Sequence, residues 1–324
     1  MDASRTRPRS PDTMQQPRLD YVTCASPAGL HRMAYWEWGD PSNRDVLVCV
    51  HGLTRTGRDF DELARRLCER YRVVCPDVVG RGASDWLVNP AFYTIPQYVS
   101  DMVTLLARLR PGRLLWTGTS MGGLIGLALS GSAAMARAMR AGGAYTGGHP
   151  QALPENGGIR FDRLVLNDVG PRLETVALRR IGEYVGEPRE YASFAEAVRG
   201  MREVSASFGS HTDEQWETLA RHVYRERDGR WIKHYDLGLA APMAAQTPEV
   251  YEAGERLLWQ AYDALDCPVL IVRGAESDLL TAATVAEMQS RNPRAQAVEF
   301  PDVGHAPTLM TCEQLDPVAA FLLG

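Results

Sequence analysis

Nowhere in the 324 residues is there an uninterrupted apolar run of the roughly 18 residues that a membrane-crossing helix needs, so no membrane span is expected. Residues 1–18 (MDASRTRPRSPDTMQQPR) are rich in Arg and Pro and contain no apolar stretch able to form the core of a secretory signal. They read as a disordered tail, with a cytoplasmic location as the default. An excess of one charge is also missing. Thirty-five basic side chains face 40 acidic ones, a formal charge of -5, which leaves no overall field to draw nucleic acid or an anionic membrane. Small-molecule chemistry is the starting expectation. The six cysteines, at 24, 49, 68, 75, 267 and 312, are scattered. Cys49, Cys75 and Cys267 lie in or beside apolar strand-like runs, which points to buried free thiols rather than disulfides.

What is present is a repeating alternation. From residue 20, short β-branched runs alternate with helical patterns, the signature of an α/β fold with a mostly parallel sheet. Tyr21 to Ser26 and His31 to Trp38, separated by Pro27-Ala28-Gly29, form a predicted β-hairpin. Asp45 to Val50, Arg72 to Cys75, Arg113 to Thr117, Arg163 to Leu166 and Pro268 to Val272 read as buried strands. The clearest helical stripe is Ile95, Tyr98, Val99, Met102, Val103, Leu106 and Leu109. The pattern breaks at 131–160, where Gly, Ala, Pro and Asn crowd together and a mobile surface excursion is expected. It breaks again over 172–246, a run of helical segments without a buried strand. That run reads as a helical cap inserted into a core made of 19–171 and 247–324, with a crossover helix from about Val250 to Leu265 leading back.

The chemistry gathers around Gly118-Thr119-Ser120-Met121-Gly122, a G-x-S-x-G motif between the strand RLLWT and the helical run LIGLALS. Glycines flank the serine because a sharp strand-to-helix turn leaves no room for side chains, and the turn lifts the hydroxyl above the sheet edge. The helix starting there aims backbone NH groups at a developing oxyanion, with the Met121 NH as first donor. A serine hydroxyl is barely acidic at neutral pH, so attack needs a base and a third group to orient that base. His305, on the loop Gly304-His305-Ala306 between the last predicted strand and the terminal helix, is the candidate base. Asp278, following the strand PVLIVRG, is the candidate acid, placed at the carboxyl end of a strand where open α/β sheets gather their sites. Asp168, in Asn167-Asp168-Val169 after the preceding strand, is the rival. The second oxyanion donor is expected from His51-Gly52-Leu53, as the Leu53 NH, with His51 hydrogen bonding within the turn.

These landmarks, together with Asp77-Val78-Val79-Gly80-Arg81-Gly82-Ala83-Ser84-Asp85, resemble the α/β-hydrolase superfamily in its esterase and lactonase-like branch, over nearly the whole chain from residue 20. The resemblance implies an eight-stranded sheet with helices on both faces, a helical cap over the pocket, the order Ser, Asp, His for the catalytic residues, and neither metal nor organic cofactor. Where dehalogenases and epoxide hydrolases place an aspartate, this chain has Ser120. The expected activity is hydrolysis of a small carboxylic ester or lactone through an acyl-enzyme. Carbon-carbon bond hydrolysis of a β-diketone or dienone, or a ligand receptor on the same fold, are the alternatives. Nothing in the sequence sets the oligomeric state.

Overall fold

A computed structural model describes residues 16–141 and 158–324. The predicted hairpin is strands β1 (Arg18–Ser26) and β2 (Gly29–Trp38), paired antiparallel from Arg18 with Glu37 to Ser26 with Gly29. Residues 1–15 of the expected tail lie outside the described residues, and Arg18 corrects its boundary, because it opens β1 and its guanidinium bonds Glu37 across the pair. Strands β3 (Asp45–Val50) and β4 (Arg72–Pro76) follow, with helix α1 (Asp61–Leu67) between them. Helix α2 (Ile95–Leu109) precedes β5 (Arg113–Thr119), and α3 (Met121–Ala141) precedes β6 (Arg163–Asn167).

The predicted excursion at 131–160 is corrected in its first third. Residues 131–141 continue α3, because Gly-Ser-Ala-Ala-Met-Ala-Arg-Ala-Met-Arg-Ala contains mostly strong helix formers that outweigh one glycine. Residues 142–157 lie outside the described residues.

After β6 the chain leaves the sheet for about a hundred residues. Helices α4 (Thr175–Val185), α5 (Phe194–Val204), α6 (Asp213–Arg221) and α7 (Ala240–Ala244) occupy this stretch. So does a small antiparallel sheet of β7 (Glu190–Tyr191), β8 (Tyr224–Arg227) and β9 (Arg230–Lys233), in the order β7-β9-β8. This sheet adds to the all-helical expectation. It turns on Asp228-Gly229, both at positive φ (52° and 72°), the dipeptide that a two-residue hairpin requires. Val198, Met201, Trp216, Leu219 and Tyr224 pack into a small core of their own. Helix α8 (Pro248–Asp263) returns the chain to β10 (Val269–Gly274), followed by α9 (Ala282–Arg291), β11 (Ala295–Phe300) and α10 (Cys312–Leu323).

The main sheet has eight strands in the order β1-β2-β4-β3-β5-β6-β10-β11. All neighbours pair parallel except β1 with β2 and β2 with β4. Successive side chains of a strand point to opposite faces, and the two faces are buried under different helices. Val46, Val48 and Val50 pack in one layer with Tyr98 and Met102 of α2 and Tyr262 of α8. Leu47 and Cys49 pack in the other with Leu63 of α1 and Val318 of α10. Cys24, Cys49, Cys68, Cys75 and Cys267 are buried and all six cysteines are free, Cys312 being exposed.

Candidate active site

Ser120 sits between the end of β5 and the first residue of α3 at φ 51°, a left-handed backbone conformation that a residue with a side chain adopts only under constraint. The constraint is the crowding predicted from the motif. A Cβ on Gly118 would lie 2.3 Å from the Gly122 carbonyl carbon, and one on Gly122 would lie 2.0 Å from the Val50 carbonyl oxygen. The Ser120 NH donates to the Asn167 carbonyl at 2.9 Å, tying the turn to the end of β6.

His305, on the loop after β11, has Nε2 2.9 Å from Ser120 Oγ and Nδ1 2.8 Å from Asp168 Oδ2. Asp168 follows β6 directly, at φ 55°, with its side chain fully buried. Its two oxygens are both occupied. The Gly274 NH donates to Oδ1 at 3.0 Å, and Ser277 Oγ donates to Oδ2 at 2.7 Å. Ser277 Oγ accepts from the Leu279 and Leu280 amides, so its single hydrogen is left for Asp168.

The acid expected at Asp278 is therefore corrected. Asp278 makes a two-pronged ion pair with Arg180 of α4, at 2.7 and 2.9 Å, with a side chain 39% exposed. Burial works to raise its carboxyl, and the Arg180 hydrogen bonds and charge outweigh this and hold it below its ordinary value. The exchange follows from the local partners: Asp168 stands directly after β6, held by Gly274 and Ser277 beside the imidazole, whereas Asp278 lies several residues beyond β10 and turns to Arg180.

Among the described residues no acceptor takes the NH of Leu53 or of Met121. Met121 is the first residue of α3, where no intrahelical acceptor exists. His51, fully buried, bonds the Gly52 carbonyl through Nδ1 (2.7 Å) and accepts the Val78 NH at Nε2 (2.9 Å). Burial lowers its imidazole to about 3, so it is neutral, with the proton on Nδ1.

Sequence reasoning singled out Arg81 only as part of a longer segment. Its side chain is wholly buried, and among the described residues it meets no carboxylate. Nε donates to the Leu53 carbonyl (2.8 Å), one terminal nitrogen to the Val79 carbonyl (2.7 Å) and to Tyr98 Oη (2.9 Å), and the other lies 3.4 Å from Met121 Sδ. One guanidinium thus touches both residues with free amides. Asn167 was also missed. Its amide nitrogen donates to Thr119 Oγ1 and to the Pro307 carbonyl, linking the serine turn to the histidine loop.

A cleft open to solvent, with a volume of about 110 Å³, is lined by Leu53, Ser120 and His305 together with Tyr184, Tyr224 and Tyr235. Of the eight Phe, Tyr and Trp residues in 172–246, Tyr184, Phe208, Tyr224 and Tyr235 line the cleft. Trp216 instead packs in the small core, and Trp231 lies against Phe194. Elsewhere Cys24, His31 and Asp101 bring ligand-type atoms within 4.8 Å of one another, but none of the three lines the cleft. His31 Nε2 is satisfied by Asp101 at 3.1 Å.

Residues 47–321 match the family model described as the alpha/beta hydrolase family. A 3-hydroxybutyrate-oligomer hydrolase of Cupriavidus necator is 50% identical over 312 residues, 95% of this chain and 98% of that protein. An esterase of Mycobacterium tuberculosis is 28% identical over 81% of this chain and 76% of its own length. Among solved structures, an alpha/beta hydrolase of Novosphingobium aromaticivorans superposes with a TM-score of 0.77 at 33% identity, covering 95% of this chain and 98% of that one. With the family match spanning most of its length and a relative half identical over nearly all of it, the chain belongs to the alpha/beta hydrolase family.

Proposed function

We propose that this enzyme hydrolyses carboxylic esters through an acyl-enzyme on Ser120, with His305 as general base and Asp168 as the group that orients it. The observation that carries the reading is the continuous hydrogen-bonded line Ser120 Oγ, His305 Nε2, His305 Nδ1, Asp168 Oδ2 at 2.9 and 2.8 Å. Asp168, held by Gly274 and Ser277, keeps the proton of the resting imidazole on Nδ1 and leaves Nε2 free to take the serine proton. Ser120 attacks the ester carbonyl, the Leu53 and Met121 amides receive the oxyanion, and His305 returns its proton to the leaving alcohol. Water, deprotonated by the same imidazole, then releases the acid. Each oxyanion donor is worth about 3 to 4 kcal/mol of transition-state stabilisation. Arg81 supports the arrangement by holding the Leu53 carbonyl, which fixes the Leu53–Thr54 peptide and so anchors the residue whose amide faces the oxyanion.

Half of all aligned residues are shared with the Cupriavidus 3-hydroxybutyrate-oligomer hydrolase over nearly the full length of both chains, which supports oligomeric 3-hydroxybutyrate esters as the substrate class. The test is turnover of a chromogenic butyrate ester and of the 3-hydroxybutyrate dimer by the wild type and by Ser120→Ala. Both rates are expected to fall at least a thousandfold in the variant. Undiminished turnover would remove Ser120 from the mechanism, and cleavage of a β-diketone with neither ester touched would replace ester hydrolysis by carbon-carbon bond hydrolysis.

A further inference from the structure

The cleft is electrostatically one-sided. Arg55, Arg180, Arg189 and Lys233 line it and, among the described residues, no Asp or Glu does, although the whole chain carries a formal charge of -5. Three of these cations are neutralised from behind the wall. Arg55 pairs with Asp59 at 2.6 Å, Arg180 with Asp278 at 2.7 Å and Arg189 with Glu187 at 2.9 Å. Lys233 is different. Its ammonium donates only to two backbone carbonyls, of Tyr184 and Glu187, each at 2.8 Å, and among the described residues no carboxylate bonds it.

An ammonium has three N–H donors, so two are committed and one remains. The two carbonyls fix the position of the head group without cancelling its charge. Lys233 stands at the end of β9 paired with Tyr224, another residue of the cleft wall, and its Nζ lies 5.4 Å from the ring centre of Tyr235. Holding a half-buried cation with no hydrogen-bonded carboxylate is unfavourable, since the Glu187 charge acts on it only through space while that side chain pairs with Arg189, and an arriving carboxylate relieves that cost.

From these positions we infer that Lys233 is the receptor for a carboxylate on the substrate, so that the enzyme selects acid-terminated esters over neutral ones. The inference rests on reading this cleft as an ester-hydrolysing site. A linear hydroxyalkanoate oligomer has one free carboxylate end and one free hydroxyl end. A cation at a set place in the cleft distinguishes them, and the carboxylate end is the one it holds. Arg55, Arg180 and Arg189, each already paired with a carboxylate, offer little net charge and no second binding point.

The experiment compares the 3-hydroxybutyrate dimer with its methyl ester, by kcat/KM in the wild type and by calorimetric binding to Ser120→Ala, each with and without Lys233→Met. The wild type is expected to prefer the acid at least tenfold, and Lys233→Met to reduce that preference at least tenfold through the KM of the acid. Lys233→Arg should retain most of the preference, and carries the comparison if the methionine variant does not fold. Equal use of acid and methyl ester by the wild type, or an equal loss on both in Lys233→Met, overturns the inference. If the wild type turns over neither compound, the 3-hydroxybutyrate substrate class fails, and the ester reading fails with it if the chromogenic butyrate ester is also left intact. Binding to Ser120→Ala then decides the carboxylate site alone: tighter binding of the acid that depends on Lys233 upholds it, and indifference overturns it.

Discussion

Ser277 Oγ and His305 Nδ1 converge on the same oxygen of Asp168, at 2.7 and 2.8 Å. Two donors on one carboxylate oxygen fix the carboxylate's orientation, and they set the plane in which the imidazole lies. Asp168→Asn is therefore expected to lower kcat by about ten-thousandfold, because an amide favours the wrong imidazole tautomer. Asp278→Asn should stay within about tenfold of the wild type, and Ser277→Ala, which removes one supporting donor, should fall between them. Steady-state kinetics on one ester ranks the three. A loss in Asp278→Asn equal to that in Asp168→Asn would show that the ground-state geometry misidentifies the orienting acid.

That ranking also marks how far the sequence could be read. Ser120 and His305 are legible because each is announced by local chain chemistry, a glycine-flanked strand-to-helix turn for one and a loop between strand and helix for the other. The choice between Asp168 and Asp278 is not local. Both follow buried strands, and which carboxylate faces the imidazole is decided by side-chain pairing in the folded chain, where Arg180 takes Asp278 while Gly274 and Ser277 hold Asp168 beside His305. Such pairing is tertiary, and the motifs do not encode it. Arg81 was hidden differently. Arginine in a glycine-rich loop ordinarily lies in solvent, and only the packed fold shows it wholly buried against Tyr98 and the Leu53 carbonyl. The β8–β9 hairpin was within reach, since Asp228-Gly229 is a strong turn signal that the surrounding helical pattern obscured.

Arg81 offers a prediction that separates positioning from mere support. Arg81→Met leaves the carbonyls of Leu53 and Val79 without their donors, at about 1 to 3 kcal/mol of folding stability for each unsatisfied group. A purely structural role would stop at a lower melting temperature. A positioning role predicts in addition that kcat falls about a hundredfold with KM changed only a few-fold, and that affinity for a tetrahedral phosphonate or boronate inhibitor falls in proportion. Arg81→Lys, which can reach one carbonyl but not span both, should recover part of the rate. Parallel loss of ground-state and tetrahedral ligand binding would leave Arg81 as a structural residue.

The turn at Ser120 predicts a steric result. In Gly122→Ala the new methyl would stand 2.0 Å from the Val50 carbonyl oxygen, a backbone atom within the parallel sheet that cannot rotate away. Either the helix start or β3 must shift, and both carry the site. Loss of soluble protein, or a melting temperature lowered by many degrees together with loss of turnover, is expected. Full activity with an unchanged melting temperature would mean that the elbow is looser than its packing indicates.

Lys233 connects the cleft to pH. Burial, and then the charge of Arg189, lowers its ammonium to about 8 against the opposing charge of Glu187, so it is protonated at neutral pH and loses its proton just above it. The other ionisable groups around it do not titrate there: Arg189 is raised by Glu187, and Tyr184 and Tyr235 are raised by burial. A substrate carboxylate stays ionised throughout this range. The ratio of kcat/KM for the acid-terminated dimer to that for its methyl ester should therefore be level below about pH 7 and fall as pH rises through 8. The protonation of His305 divides out of this ratio because both esters need it equally. In the kcat ratio the fall should come at higher pH, since a bound carboxylate stabilises the ammonium and raises its pKa. A kcat/KM ratio that does not change from pH 6 to 9.5, in an enzyme that does prefer the acid, would assign the preference to the paired arginines, whose charge does not change over that range.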